Sequence, residues 1–249
     1  MEGSAPDRSS LSFRKMRPSD IDSVLEACIA GSEPTFSFRL GPRFLRSQFS
    51  AFLDSREACA ITCWDDAAGQ LVGYVCGTQD LAKHYRVWLR RNLLHWQLLA
   101  VLLRDPAIAL GLVKRGLRLF QIISGSRSDK DRARKQLEPS RAVLMQVLVR
   151  PERRREGVGS LLVEAFADAM ARRGMARVEL WVRSNNAAAR RVYEHLGWIA
   201  VRPESDTRGL SRWLYRLDLP SSGQVAPTLN LSANQSTGTG SQVKAEGKG

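Results

Sequence analysis

The chain has 249 residues, 43% hydrophobic and 25% charged, proportions that build a core in water and exclude wholesale disorder, a collagen-like repeat and a membrane bundle. Thirty-eight Lys and Arg against 25 Asp and Glu give a formal charge of +13, which favours phosphate-bearing ligands, acidic acceptors or anionic surfaces. Cys28, Cys59, Cys63 and Cys76 form no C-x-x-C pair, and His84, His95 and His195 are not spaced as metal ligands beside them, so reduced buried thiols and no metal are expected. MEGSAPDRSS lacks a basic start followed by an apolar run, which argues against a signal peptide and for a cytoplasmic location.

After a leader over 1–10, Leu11 to Arg17 reads as a strand. Ser19 and Asp22 form a capping box ahead of a helix carrying Ile21, Val24, Leu25, Cys28 and Ile29 and closed by Gly31. Pro42 opens a second helix with Phe44, Leu45, Phe49, Phe52 and Leu53 on one face. Ala58 to Trp64 and Leu71 to Thr78, split by DDAAGQ, predict an antiparallel hairpin, with Cys59, Ile61 and Cys63 as core residues on one strand face.

Residues 81–140 hold 13 basic and 4 acidic residues, so most of the surplus charge lies there. Tyr85, Trp88, Leu89, Leu93, Trp96 and Leu99 recur at helical spacing, which predicts a helical insertion, continued over Ile108 to Ile123 and followed by a mobile connection. His84 and His95 lie on it, where solvated or interfacial positions are expected. Ala142 to Val149 is a nearly continuous apolar run ended by Arg150-Pro151, the pattern of a central strand buried on both faces. Val158, Leu161, Leu162, Ala165, Phe166, Ala169 and Met170 then mark an amphipathic helix that stops at Gly174. Arg177 to Val182 reads as a strand, Asn186 caps a short helix ending at a surface His195, and Trp198 to Val201 and Arg212 to Leu219 complete a sheet. The Ser-, Thr- and Gly-rich stretch 220–249 has little to bury and predicts a disordered tail.

A buried strand that breaks at Arg-Pro, passes a glycine turn and starts a helix offers several free backbone N–H groups at one point, an anion cradle. Gly157 and Gly159 would let a diphosphate reach the main chain, with Arg153, Arg154 and Arg155 adding positive potential. Neither G-x-x-x-x-G-K-[ST] nor G-x-G-x-x-G is completed.

Arg154 to Gly159 reproduces R-x-x-G-x-G, and Asn186, Ala189, Tyr193, Gly197 and Trp198 reproduce N-x-x-A-x-x-x-Y-x-x-x-G-aromatic. In this pairing and order, residues 11–219 resemble the GNAT superfamily of acyl-CoA-dependent N-acetyltransferases. The resemblance implies an α/β (α+β) fold with a mixed, mostly antiparallel sheet flanked by helices, splayed between the strand ending at Val149 and the one beginning near Arg177. The basic segment 81–140 departs from the family as a helical insertion between the third and fourth strands. The resemblance further implies acetyl-CoA as cosubstrate, its pyrophosphate on Arg154, Arg155, Glu156, Gly157, Val158, Gly159 and Ser160, and its pantetheine arm along Val147, Leu148 and Val149. Asn186 would contact it, and Tyr193 would be the general acid, the other reading being a packed aromatic under the last strands. The family's usual strand carboxylate is absent, Gln146 standing there. Glu33, in the loop before Pro42, and a water chain are the candidate bases, with an exposed carboxylate the plainer reading of Glu33.

The expected activity is acetyl transfer to an amine in a ternary complex, the acceptor being a small-molecule or sugar-linked amine with an anionic group. A CoA-binding regulatory module without turnover is the rival. A third reading is a peripheral membrane acyltransferase on a lipid-linked acceptor, docked through 83–123. No nucleic-acid motif accompanies the basic residues.

Overall fold

The computed structural model describes residues 10–31, 41–93 (side chains through 90), 140–205 and 209–220. Seven strands form one sheet in the order β1-β2-β3-β4-β5-β7-β6. Strands β1 (Leu11–Lys15), β2 (Ala58–Asp65), β3 (Gln70–Thr78) and β4 (Arg141–Val149) are antiparallel neighbours, as are β5 (Arg177–Arg183), β7 (Ser211–Asp218) and β6 (Ile199–Ser205). The two blocks join through the one parallel pair, β4 and β5. The mixed, mostly antiparallel sheet, the hairpin and the central place of β4 agree with the sequence reading.

Helices α1 (Ile21–Gly31) and α2 (Pro42–Asp54) cover one face of β2, β3 and β4, burying Val24, Leu25, Leu45, Phe49 and Phe52 against Tyr74 and Leu148. Helix α4 (Val158–Arg172) covers the other face, with Leu162, Phe166 and Met170 against Ile61, Val75 and Leu144. It lies close because Gly73 and Gly77 of β3 leave room: a Cβ on Gly77 would stand 2.2 Å from the Val143 carbonyl oxygen and 2.5 Å from Phe166 Cζ. Cys59 and Cys63 belong to this core, and all four cysteines are buried and free. Helix α5 (Ala187–His195) follows β5, with His195 exposed.

Two expectations change. The start of α1 is served by Asp20, not by the Ser19–Asp22 pair. Buried Asp20 takes both arms of Arg14 at 2.7 and 2.9 Å and the Arg17 N–H at 2.8 Å, while Asp22 reaches across to Arg46 of α2. The second change is His84, on α3 (Leu81–Leu93) at the start of the insertion, which is buried rather than solvated. Its ring lies 4.3 Å from Phe52, centroid to centroid, and burial pushes its pKa down from 6.5 to about 4. α3 packs on α2, with Trp88 edge-on to Phe44 at 5.6 Å. Its apolar stripe therefore belongs to the fold there. The remainder of the insertion, with Trp96, His95 and Ile108 to Ile123, lies outside the described residues, as do the leader, Glu33 and the tail from 221. Among the described residues no helix is long and apolar enough to cross a membrane.

Candidate functional site

β4 and β5 pair only from Arg141–Arg177 to Val143–Glu179, and then separate. Among the described residues, the edge of β4 from Leu144 to Val149 therefore has no strand partner on its β5 side, while its other edge stays paired to β3 with an irregularity between Cys76 and Gly77. Main-chain groups of Val147, Leu148 and Val149 line a gap in the middle of the sheet. A ligand with amide groups would satisfy such an edge as a strand does.

At the end of this edge the chain turns through Pro151–Arg153, reaches Gly157 in a left-handed conformation at φ 82°, and enters α4. The N–H groups of Val158, Gly159 and Ser160, in the first turn, have no intrahelical acceptor and carry the positive end of the helix dipole. A Cβ on Gly159 would meet only Val149 Cγ2, at 3.7 Å, so internal packing does not require glycine there. The space it leaves suits a ligand approaching the main chain, and the turn fits a diphosphate.

The arginines of this turn are not all free charges. Arg153 is a strut between the Glu156 carboxylate at 2.8 Å and Asp65 at 2.7 Å, and it holds the Asp65 carboxyl below its ordinary range. Its positive potential is spent locally, unlike the sequence expectation. Arg154 donates to the Gly31 carbonyl at 2.7 Å and ties the turn to the end of α1. Arg155 is exposed with φ 70° and faces solvent beside the cradle.

Asn186 Oδ1 accepts from Ala189 N–H at 3.1 Å, so its side chain caps α5. Tyr193, near the end of that helix, is 6% exposed and packs 5.7 Å from Trp198 and 6.0 Å from Tyr215, ring centroid to ring centroid. Burial pushes its phenol up to about 12, so it stays protonated at neutral pH. Gln146 stands opposite Cys76 of β3 and donates through Nε2 to Cys28 Sγ of α1 at 3.7 Å, which turns its side chain toward the α1 face.

The sequence reading missed a polar cluster across the gap from Gln146. Trp181 Nε1 on β5 donates to Glu204 of β6 at 2.8 Å, and Arg212 of β7 and Arg202 of β6 close on the same carboxylate at 3.0 Å each. Burial alone would raise Glu204, but these three donors outweigh it and leave the carboxyl below its ordinary value. The only advance signal was alternation: Val178, Leu180 and Val182 face the α4 core, which puts Trp181 and Arg183 on the opposite face. Among the described residues no group of His, Cys, Asp or Glu is placed to hold a metal.

Residues 117–198 match the family described as Acetyltransferase (GNAT) family. A curated relative, the ribosomal protein bS18-alanine N-acetyltransferase of Escherichia coli (strain K12), is 42% identical over 57 residues, which cover 23% of this chain and 38% of that protein. The chain thus matches well under half the length of this relative. Among solved structures, a ribosomal-protein-S18-alanine N-acetyltransferase from Escherichia coli superposes with TM-score 0.52 at 15% identity, covering 88% of this chain and 98% of that one. The yncA protein of Salmonella typhimurium, solved with its cofactor acetyl-CoA, gives 0.51 at 14% identity over 85% of this chain and 95% of that one. The paired motifs, the split of the sheet and the glycine turn all fall within residues 117–198, the stretch that matches the GNAT acetyltransferase family.

Proposed function

We propose that this chain transfers the acetyl group of acetyl-CoA to an amine held on the α1 side of the sheet. The observation that carries this reading is the open edge of β4 running straight into the glycine turn of α4, which gives one elongated ligand both an amide-binding edge and a diphosphate cradle. The free N–H groups of Val158, Gly159 and Ser160, with the main chain from Arg154 to Gly157, hold the diphosphate. Val147, Leu148 and Val149 orient the pantetheine amides. The NH2 of Asn186, whose oxygen is used by the cap, serves as a further donor. The cosubstrate supplies an activated acyl carbon.

The reaction joins the amine nitrogen to that carbon and breaks its bond to sulfur. The amine must be neutral before it attacks, and the departing thiolate must receive a proton. Tyr193, kept protonated by burial, serves as the donor. Gln146 cannot take a proton, and its side chain, fixed by Cys28, is limited to hydrogen bonding with the amine. Glu33, in the segment after α1, or a water chain serves as base.

Acceptors include the small-molecule and sugar-linked amines expected from the sequence and, because the curated relative is named for an alanine of a ribosomal protein, peptide amines. Calorimetric titration with CoA tests the cradle, and thiol release across a panel of these amines tests transfer. Binding without release from any amine would reduce the protein to a CoA-binding module, and no binding would sink the reading.

A further inference from the structure

Three charged side chains meet beside the glycine turn. Arg153 donates through Nε to both oxygens of Glu156, at 3.0 and 2.8 Å, and through Nη1 to Asp65 at 2.7 Å. The side chains of Arg153, Glu156 and Asp65 are 24%, 17% and 14% exposed, so these contacts are screened less than a fully exposed pair would be. Hydrogen bonds to Glu156 and Asp65 hold the guanidinium pKa above its ordinary value, and it stays charged. Two carboxylates thus share one guanidinium, and the cluster carries net negative charge next to the turn that fits a diphosphate.

The two carboxylates differ in how they are held. Asp65 Oδ1 accepts from the N–H groups of Ala67 and Ala68, both at 3.1 Å, so the hairpin turn fixes that carboxylate and leaves Oδ2 to Arg153. Glu156 is held, among the described residues, by Arg153. Its place makes that restraint consequential. It directly precedes Gly157, the residue at the N-cap of α4, which has no side chain to bond the first-turn N–H groups. Those groups and the positive end of the helix dipole attract an anion within reach. Along the chain, Glu156 is the carboxylate nearest to Val158, Gly159 and Ser160.

We infer that Arg153 is a positioning residue for the cofactor: it holds the Glu156 carboxylate away from the first-turn N–H groups of α4 and offsets its charge, so that losing the guanidinium turns Glu156 into an internal competitor for the diphosphate position. The inference rests on the cradle in the proposed function and names what keeps that cradle open. A mechanical brace between the hairpin and the turn is the other use of such a contact, and charge separates the two. A brace fails when either end is cut, whereas restraint of Glu156 becomes unnecessary once Glu156 is neutral.

Calorimetric titration of the full chain with CoA at low salt tests this without turnover. Arg153→Gln should bind CoA about tenfold more weakly, and the double variant Arg153→Gln, Glu156→Gln should return to within about threefold of the parent. Glu156→Gln alone should bind about threefold more tightly. Asp65→Asn leaves Arg153 to Glu156 and keeps an oxygen for Ala67 and Ala68, so it should bind at least as tightly as the parent. The loss in Arg153→Gln should shrink in about 0.5 M salt. Unchanged affinity in Arg153→Gln overturns the inference, as does a loss that Glu156→Gln fails to restore. So does the absence of a gain in Glu156→Gln, or weaker binding by Asp65→Asn, which would assign a brace. These last two variants decide the matter if Arg153→Gln does not fold. A parent that does not bind CoA sinks the cradle and the inference together, whereas CoA binding indifferent to all of these changes leaves the cradle standing and removes the inference.

Discussion

The two faces of this sheet solve different problems. On the α4 face, apolar side chains from six strands meet α4 and Tyr193 of α5, and the chain pays for close approach with glycine at 73 and 77. On the opposite face the cover is uneven: α1 and α2 close an apolar layer over β2 to β4, and beyond the gap the same face turns to guanidinium and carboxylate. A helix lying on a continuous core fixes where its own N-terminus points, so the packing of α4 rigidly positions the turn proposed to hold the diphosphate. The other face, where side chains meet water, is free to differ in what it recognises. On the proposed reading, cofactor binding is thereby coupled to stability.

The sharpest way to break the comparison is at Gly77. Ala there places a methyl carbon against the Val143 carbonyl and the Phe166 ring, both fixed by the packing of α4. Overpacking of this kind typically costs 1–3 kcal/mol, and contacts this short should put Gly77→Ala at the upper end, about 3 kcal/mol. Urea unfolding checks it. An unchanged midpoint would show that α4 can lift from β3, and the rigidity argument would fall.

Gly159→Glu separates cradle from core. Its Cβ has ordinary room, so the melting temperature should stay close to the parent's while a carboxylate enters the diphosphate position. Calorimetry should show CoA affinity lowered by at least about 10²-fold, the cost of roughly 3 kcal/mol of lost and reversed charge contacts. The same change at Gly157 would be less clean, because that residue has φ 82° and any side chain strains it.

Much of this was legible in the chain itself. The 3.6-residue period of Val158 to Met170 and the unbroken apolar run of β4 determine the central strand and its helix, and the paired spacings around Gly157 and Tyr193 locate the candidate site. What stayed hidden depends on register and on partners far apart in sequence. Arg153 reads as free positive charge until Asp65, 88 residues earlier, proves to be its neighbour. The Trp181–Glu204–Arg212 cluster requires knowing that β7 sits between β5 and β6. His84 was masked by its basic surroundings, although its spacing four residues before Trp88 puts it on the apolar stripe.

Tyr193→Phe sharpens the chemistry while removing a single oxygen from the core on the α4 face. The ring remains packed between Trp198 and Tyr215, so folding and CoA affinity should hold, while kcat falls by about 10²-fold if the hydroxyl protonates the leaving thiolate. Steady-state thiol release with any working amine measures it. A variant that keeps its kcat would assign that proton to water.

The smallest effect at neutral pH, and the one most specific to the helix beginning the insertion, concerns His84. Its folded pKa of about 4 lies below the ordinary 6.5, because the imidazole is enclosed against Phe52 and the charged form is poorly solvated there. The unfolded chain therefore binds the proton first as acid is added. The stabilisation is fully present above about pH 6.5 and is lost as pH falls toward 4, to the extent of about 3 kcal/mol. Carboxylates held below their ordinary values, Asp65 and Glu204 among them, add acid sensitivity of their own, mostly below pH 4.5. The comparison that isolates the histidine is with His84→Phe, which retains a ring on Phe52. The two proteins should unfold at similar urea concentrations at pH 7, and the parent should lose stability faster between pH 6.5 and 4.5. Parallel curves over that window would mean that α3 opens readily enough to hydrate the imidazole, and that the stripe through Trp88 holds the insertion to α2 more loosely than its packing indicates.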